Sequence, residues 1–226
     1  MTSGESVLPE MTPTEMTLLI GSKFLPIAEI TDPTILPAAT AIKGKGATLD
    51  LGAHVLMGGF LALLSEGAIS LRYVESKKMR VLKSRHVMVE KVGDSSYDRA
   101  TIEGGLFQVV SSSAPLSVKQ VVGEWFGPDV ENPGLRAYRV AWDRLITMGM
   151  IVLESVPNDK GKPQEVARPN TQLIAQTLPQ LVRWSERWTT FGAEERELSG
   201  HLFSEIKRTL SWKKKAESDD TDYTDF

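Results

Sequence analysis

The chain has no cysteine, and its 226 residues include only three histidines, which lie far apart at His54, His86 and His201. Without cysteine it can form neither a disulfide scaffold nor a thiolate-based zinc or iron–sulfur site, and it has no thiolate nucleophile. No carboxylate cluster frames the histidines, and no nucleophile stands beside a base. The sequence therefore predicts a non-catalytic protein without a metal ion or a cofactor.

Long apolar runs are also missing. No run approaches the ~20 residues that a membrane-spanning helix needs, and residues 1–16 lack the basic and then apolar segments of a secretory signal. With 41% hydrophobic and 24% charged residues, the composition is that of an ordinary globular protein. We expect a cytoplasmic protein whose contact with a membrane is at most peripheral.

The net charge of −3 comes from the C-terminus. Residues 216–226 hold five acids and no base, and without them 26 basic residues face 24 acidic ones. We expect residues 1–10 to be a flexible leader and residues 216–226 to be a disordered acidic tail. Such a tail aids solubility; the alternative is that it folds over a basic surface and competes with a ligand there.

One pattern occurs twice, 82 residues apart: an apolar helix, a glycine and an alternating strand. Residues 64–71 (LSEGAISL) align without a gap with residues 146–153 (ITMGMIVL), which matches Gly67 with Gly149. A glycine directly after a helix is typical of a left-handed helix cap, and apolar alternation indicates a half-buried strand. A turn and a second strand follow each time, so each repeat ends in a β-hairpin.

Three helices before a hairpin are the winged-helix arrangement. The second repeat carries all three, at residues 97–110, 115–126 and 132–148, whereas the first repeat is degenerate. We therefore predict a mainly α protein with small β-hairpins, an α+β fold of tandem winged-helix-like units plus C-terminal helices. The predicted units are residues 11–93 and 94–169, and the C-terminal helices are residues 170–215.

Local signals predict where helices begin and end. Thr12, Pro13 and Glu15 predict the start of a first helix, and prolines and glycines in residues 22–48 predict a loop. Ser117 is a candidate cap for the helix in residues 115–126. Pro179 predicts a new helix start and Gly192 a break. The last helix, residues 193–210, has an apolar face that packs on the body or, alternatively, forms a homo-oligomer.

The first hairpin is strongly basic. Residues 72–91 carry seven basic and two acidic side chains. Lys and Arg neutralise phosphates and release counterions, which suits nucleic acid or an anionic headgroup. The alternative is a solvated hairpin whose lysines blunt an exposed strand edge. The candidate anion-binding residues in it are Arg72, Lys77, Lys78, Arg80, Lys83 and Arg85.

The third helix of the second unit carries Arg136, Arg139 and Arg144. In a helix-turn-helix protein this helix enters the major groove, where arginines contact guanine. Asp143 lies four residues after Arg139, and an intrahelical ion pair is the simpler interpretation. Arg136 and Arg139 complete the set of candidate anion-binding residues, and a winged-helix DNA-binding regulator is the alternative function.

Four segments together resemble the Golgi phosphoprotein 3-like (GPP34) family: residues 11–20 (MTPTEMTLLI), residues 58–71, the basic hairpin and residues 136–153. The resemblance covers residues 11–155. It implies a mostly helical, non-enzymatic, membrane-associated adaptor that binds phosphoinositide headgroups, with Arg136 and Arg139 on the helix of the family's pocket arginines. The expected partner is thus a protein or an anionic phospholipid surface.

Overall fold

The computed structural model describes residues 10–21, 45–78, 82–112, 115–128, 130, 133–158 and 160–219, with the backbone alone at 45–48, 76–78, 82–85, 164 and 212–219. Within these residues the chain is mainly helical with small antiparallel sheets, as predicted. The elements are α1 (Pro13–Leu19), α2 (Lys45–Glu66), β1 (Ile69–Lys78), β2 (Leu82–Lys91), α3 (Ile102–Ser111), β3 (Leu116–Ser117), α4 (Val118–Phe126), α5 (Pro133–Thr147), β4 (Ile151–Pro157), β5 (Pro163–Pro169), α6 (Thr171–Glu194) and α7 (Arg196–Asp219).

The joint between helix and hairpin has the same geometry in both repeats. Gly67 and Gly149 adopt left-handed φ angles of 75° and 71°. Each glycine N–H donates to the carbonyl three residues back, and the next N–H donates to the carbonyl five back, at 2.9–3.1 Å. These bonds satisfy carbonyls that a helix end would otherwise leave unpaired. The predicted helix–glycine–strand repeat is confirmed.

The two units share one sheet and one core. β3 belongs to the second unit by sequence, yet it pairs with β2, so that Leu116 lies opposite Val89 and Ser117 opposite Met88. The first sheet therefore has the order β1-β2-β3, and β4 and β5 form a separate two-stranded sheet. Buried side chains from both units join one continuous cluster. Residues 93 and 94 thus mark a boundary in the sequence pattern, not between two separate cores.

The predicted helix caps at Thr12 and Ser117 are confirmed. The Thr12 N–H donates to the Glu15 carboxylate at 2.7 Å, and α1 begins at Pro13. The Ser117 hydroxyl accepts from the Gln120 N–H at 3.3 Å, and α4 begins one residue later. Both helices therefore begin where a side chain can satisfy a backbone donor.

Other helix boundaries differ from the prediction. The helix predicted from residue 97 begins at Ile102, because the Thr101 hydroxyl accepts from the Gly104 N–H and caps it there. α2 begins at Lys45, inside the predicted loop, and residues 22–44 of that loop lie outside the described residues.

The C-terminal helices are longer than predicted. α6 runs unbroken through Pro179 and Gly192, since Pro179 is exposed while Leu181, Trp184 and Phe191 hold the opposite face on the body. α7 continues to Asp219, so the first four residues of the predicted disordered tail are helical. The rest of the tail, residues 220–226, and leader residues 1–9 lie outside the described residues.

The apolar face of α7 packs on the body. Leu202 and Ile206 are fully buried and Leu210 is nearly so, and α7 contacts α2, α4 and β2. Two alternatives were predicted for residues 193–210, packing on the body and formation of a homo-oligomer, and the structure shows the first. A homo-oligomer formed through the same side chains would require α7 to leave the core.

Candidate anion-binding site

The β1–β2 hairpin presents most of the predicted anion-binding residues. Ten directly opposed residue pairs join its strands, from Ile69 with Lys91 to Lys78 with Leu82. At ~3.3 Å per residue such a ladder is roughly 30 Å long. Among the described residues, the elements α2, α3, α4, α7 and β3 pack against it, and α7 reaches Tyr73, His86 and Val87 near its middle. The length of the ladder places Lys77 and Lys83 near its far end, eight pairs from Ile69 and Lys91, the pair nearest α2.

The register gathers the basic residues toward that far end. Lys77 lies directly opposite Lys83, and Arg85 lies opposite Glu75. Like charges that face each other across an antiparallel pair are destabilising. Arg72, nearer the base, is exposed and lies opposite Met88. Arg80 lies outside the described residues, and the structure describes only the backbone of Lys77, Lys78, Lys83 and Arg85.

Two residues of α7, Glu205 and His201, contact the middle of the hairpin. The buried Glu205 carboxylate accepts the Val87 N–H at 2.8 Å, and it lies 3.6 Å from the His86 ring nitrogen. The His201 ring stacks on the Tyr73 ring with 4.5 Å between centroids. The Val87 N–H points outward from the edge of β2, next to the residues that pair with β3. The Glu205 carboxylate therefore accepts the hydrogen bond that a further residue of a neighbouring strand would otherwise accept.

Sequence reasoning missed Glu205. The only signal for it is an acid placed between Leu202 and Ile206 on the apolar face of the last helix. A charged residue on a buried apolar helix face needs a hydrogen-bonding partner there. For Glu205 that partner is the buried Val87 N–H.

The second set of candidate residues lies on α5. Arg136 and Arg139 are exposed, and the Arg139–Asp143 ion pair is absent from the ion pairs of the described residues. α5 packs on α1, α2, α3, α7 and β4 rather than on the β1–β2 hairpin. The two candidate sets therefore occupy different elements.

Arg144 does not belong to the exposed set. Its guanidinium forms an ion pair with Glu15, whose side chain is fully buried. Of the three arginines on α5, the helix predicted to enter the major groove, only Arg136 and Arg139 are therefore exposed for contact with DNA. Sequence reasoning placed Arg144 on the surface because arginine is seldom buried unless it is paired, and the sequence did not reveal Glu15 as its partner.

Two buried carboxylates at the start of α1 are the other feature that the sequence did not reveal. Glu103 of α3 accepts the Thr14 N–H at 2.8 Å and the Thr14 hydroxyl at 3.1 Å. Burial raises the pKa of Glu103, and the Glu15 charge adds to that effect although the Thr14 hydrogen bonds oppose it. Neither side chain is exposed, so these carboxylates join helices rather than meet a substrate.

The described residues contain no group of three or more His, Asp or Glu side chains that could hold a metal ion. Contrary to the expectation from the sequence, one described segment, Leu49–Glu66 of α2, is long and apolar enough to cross a membrane by length and composition, and 67% of it is buried within the chain, as in the core helix of a folded domain.

Three comparisons with known proteins found no match: no family model, no curated protein and no solved structure is significantly similar to this chain.

Proposed function

We propose that this chain is a non-catalytic adaptor that docks on an anionic phospholipid surface through the basic β1–β2 hairpin. The observation that carries the proposal is the charge at the far end of the hairpin, where Lys77 and Lys83 oppose each other. An anionic surface offsets the repulsion between them. The sequence resemblance to GPP34 adaptors implies the same class of ligand, and it rests on the sequence alone because no family model matches the chain.

The sequence of the hairpin end suits a membrane interface. Residues 77–83 read KKMRVLK, which places apolar side chains among four basic ones. Each Lys or Arg close to an anionic leaflet contributes about 1 kcal/mol, and apolar side chains between them can enter the headgroup layer. Several weak contacts of this kind give reversible binding without a spanning helix.

DNA binding through α5 is less well supported. Arg144 is half-buried and paired with the fully buried Glu15, and Asp143 lies on the exposed side of the helix, where it would repel phosphates. Arg136 and Arg139 remain exposed. Duplex DNA therefore serves as a comparison ligand in the experiment.

The test is sedimentation of the full chain with phosphatidylcholine vesicles that either contain or lack one-fifth phosphatidylserine, at low and high salt, beside binding to random duplex DNA. We expect salt-sensitive binding to the anionic vesicles alone. Charge reversal at Lys77, Lys78 and Arg80 to Glu should abolish it. Reversal of the exposed Lys160 and Lys162 at the turn of the other hairpin is the control.

Vesicle binding that survives reversal in the first hairpin would overturn the proposal, as would equal losses in both variants. Binding to DNA but not to anionic vesicles would favour the regulator instead.

A further inference from the structure

A buried carboxylate oxygen faces an imidazole at the middle of the basic hairpin. Glu205 of α7 is only 6% exposed. Its Oε2 atom accepts the Val87 N–H at 2.8 Å, and its Oε1 atom lies 3.6 Å from Nδ1 of His86. None of the described residues donates a hydrogen bond to Oε1. One oxygen of the carboxylate is thus satisfied, and the other is buried beside an imidazole that is too distant to bond it.

The protonation state of His86 decides whether its Nδ1 can donate to this oxygen. A neutral imidazole carries one N–H, whereas a protonated imidazole carries an N–H on both nitrogens. A buried oxygen without a donor is costly, and a charge-assisted hydrogen bond shortens to about 2.7–2.9 Å. The His86 side chain is 39% exposed, so it can take up a proton from solution. Protonation therefore supplies Oε1 with the donor that it lacks.

Among the described side chains, His86 is the only cation paired with Glu205. The strand β2 contacts β1, β3, α3, α4 and α7. β3 carries no charged residue, and the Glu103 carboxylate of α3 is bonded to Thr14. The other charged or titratable groups near the middle of the hairpin are Arg72, Tyr73 and Glu75 on β1, Arg85 on β2, Lys119 on α4, and His201 and Arg208 on α7.

The contact lies close to the lysines that are proposed to meet the membrane. His86 is opposite Val74, three pairs before Lys77 and Lys83, which is roughly 10 Å along the ladder. A bond between His86 and Glu205 ties the hairpin to α7 at this point, and a hairpin held in place loses less freedom on binding. Protonation also cancels the negative charge of Glu205 beside the basic residues.

We propose that His86 and Glu205 form a proton-dependent latch, which makes the hairpin bind an anionic membrane more tightly as the pH falls; this rests on the proposed function. A proton from solution adds to the His86 imidazole, and the imidazolium Nδ1–H donates to Oε1 of Glu205. Histidine ordinarily changes charge between about pH 5 and 8. A leaflet with a surface potential of about −30 mV concentrates protons roughly threefold, so the membrane itself favours the closed latch.

The test is sedimentation of the full chain with phosphatidylcholine vesicles that contain or lack one-fifth phosphatidylglycerol. Binding is measured at constant salt at about pH 5.5 and about pH 7.5, within the range where histidine titrates. The phosphodiester of phosphatidylglycerol stays ionised at both, so the vesicle charge does not change. We expect the anionic vesicles to be bound about three- to fivefold more tightly at the lower pH, as for one charge gained near the leaflet.

Glutamine substitutions test the two ends of the latch. His86→Gln cannot take up a proton, so it should bind equally at both pH values. Glu205→Gln keeps an oxygen for the Val87 N–H, but it should lose most of the pH dependence because protonated His86 then lacks its partner. The matched control is His201→Gln, the other histidine between α7 and the hairpin, which stacks on Tyr73. It should keep the dependence of the wild type.

A second measurement needs neither vesicles nor substitutions. In the ¹⁵N-labelled full chain, the Nδ1–H of His86 should give a slowly exchanging proton signal at the lower pH and none at the higher one. Absence of that signal at both would overturn the latch.

The vesicle results separate the latch from the proposed function. Equal wild-type binding at both pH values would overturn the latch alone. Full pH dependence in Glu205→Gln would do the same, because His86 would then act as a surface charge without a partner. Wild-type binding to anionic vesicles at neither pH would overturn the proposed function and the latch with it.

Discussion

Gly52 of α2 and Gly134 of α5 are 82 residues apart in sequence, and their backbones touch. A Cβ atom on Gly52 would lie 2.5 Å from the carbonyl oxygen of Gly134 and 2.8 Å from its Cα. The same offset separates Gly67 from Gly149, so each helix meets the other at the same position of the repeat. The two helices thus cross in backbone contact at equivalent positions of the repeat, where a side chain does not fit.

Gly52→Ala should therefore destabilise the protein. The added methyl group meets backbone that cannot rotate away, and overpacking of this kind costs about 1–3 kcal/mol in the free energy of unfolding. Urea denaturation measures it. The control is Gly123→Ala in α4, where no atom lies within 4 Å of the added Cβ, and a gain of roughly 0.5–1 kcal/mol is expected. Equal effects of the two substitutions would contradict the close crossing.

Arg144→Met should lower the free energy of unfolding much more than Arg139→Met. Arg144 neutralises the fully buried Glu15, and removal of one partner leaves an uncompensated charge that costs about 3 kcal/mol. Arg139 is exposed, so its loss should change the free energy of unfolding by less than about 0.5 kcal/mol. The double variant Glu15→Gln with Arg144→Met should recover part of the loss. A Tm lowered equally by both single substitutions would refute this assignment.

Glu103→Gln should alter how stability depends on pH. Burial raises the pKa of Glu103 above its ordinary value of 4.5, so folding favours the protonated form. The contribution of Glu103 to stability is therefore full below its unfolded pKa and is lost as the pH rises toward the raised value. Glutamine keeps an oxygen for the Thr14 N–H, so the variant should gain stability relative to wild type as the pH rises above 4.5.

Glu66→Gln is the control for that experiment, with the opposite sign. Burial acts to raise the pKa of Glu66, but hydrogen bonds from Ser96 and Ser95 outweigh it and lower the pKa. The contribution of Glu66 to stability is present above its pKa in the unfolded chain. That contribution is lost as the pH falls toward the lowered pKa of the folded protein. Urea midpoints measured across the acid range compare the two variants, and slopes of the same sign would contradict the burial of Glu103.

The features predicted correctly from sequence are local ones. Gly67 and Gly149 end their helices because a left-handed residue is needed within a few positions of the last turn. Thr12 and Ser117 cap helices through hydrogen bonds to residues only three positions away. Short-range geometry of this kind leaves a pattern in ten or so neighbouring residues, and a single sequence displays it.

The features that sequence reasoning missed depend on distant partners. Nothing near Leu116 indicates that it pairs with Val89 of the preceding unit. The burial of Glu15 and Glu103 requires Arg144 and Thr14, which lie on other helices. A charged residue taken alone is expected to be exposed, and only the assembled helices show which acids have found donors.

The hydrogen bond from the Trp184 indole to the Thr17 hydroxyl joins residues 167 positions apart. α1 is synthesised 167 residues before Trp184, and its buried face cannot be closed until α6 has followed. At ~5–20 residues per second, that interval is roughly 8–33 s. During synthesis the apolar side chains of α1 are therefore exposed to chaperones and to other nascent chains for longer than those of any later helix that pairs with its sequence neighbour.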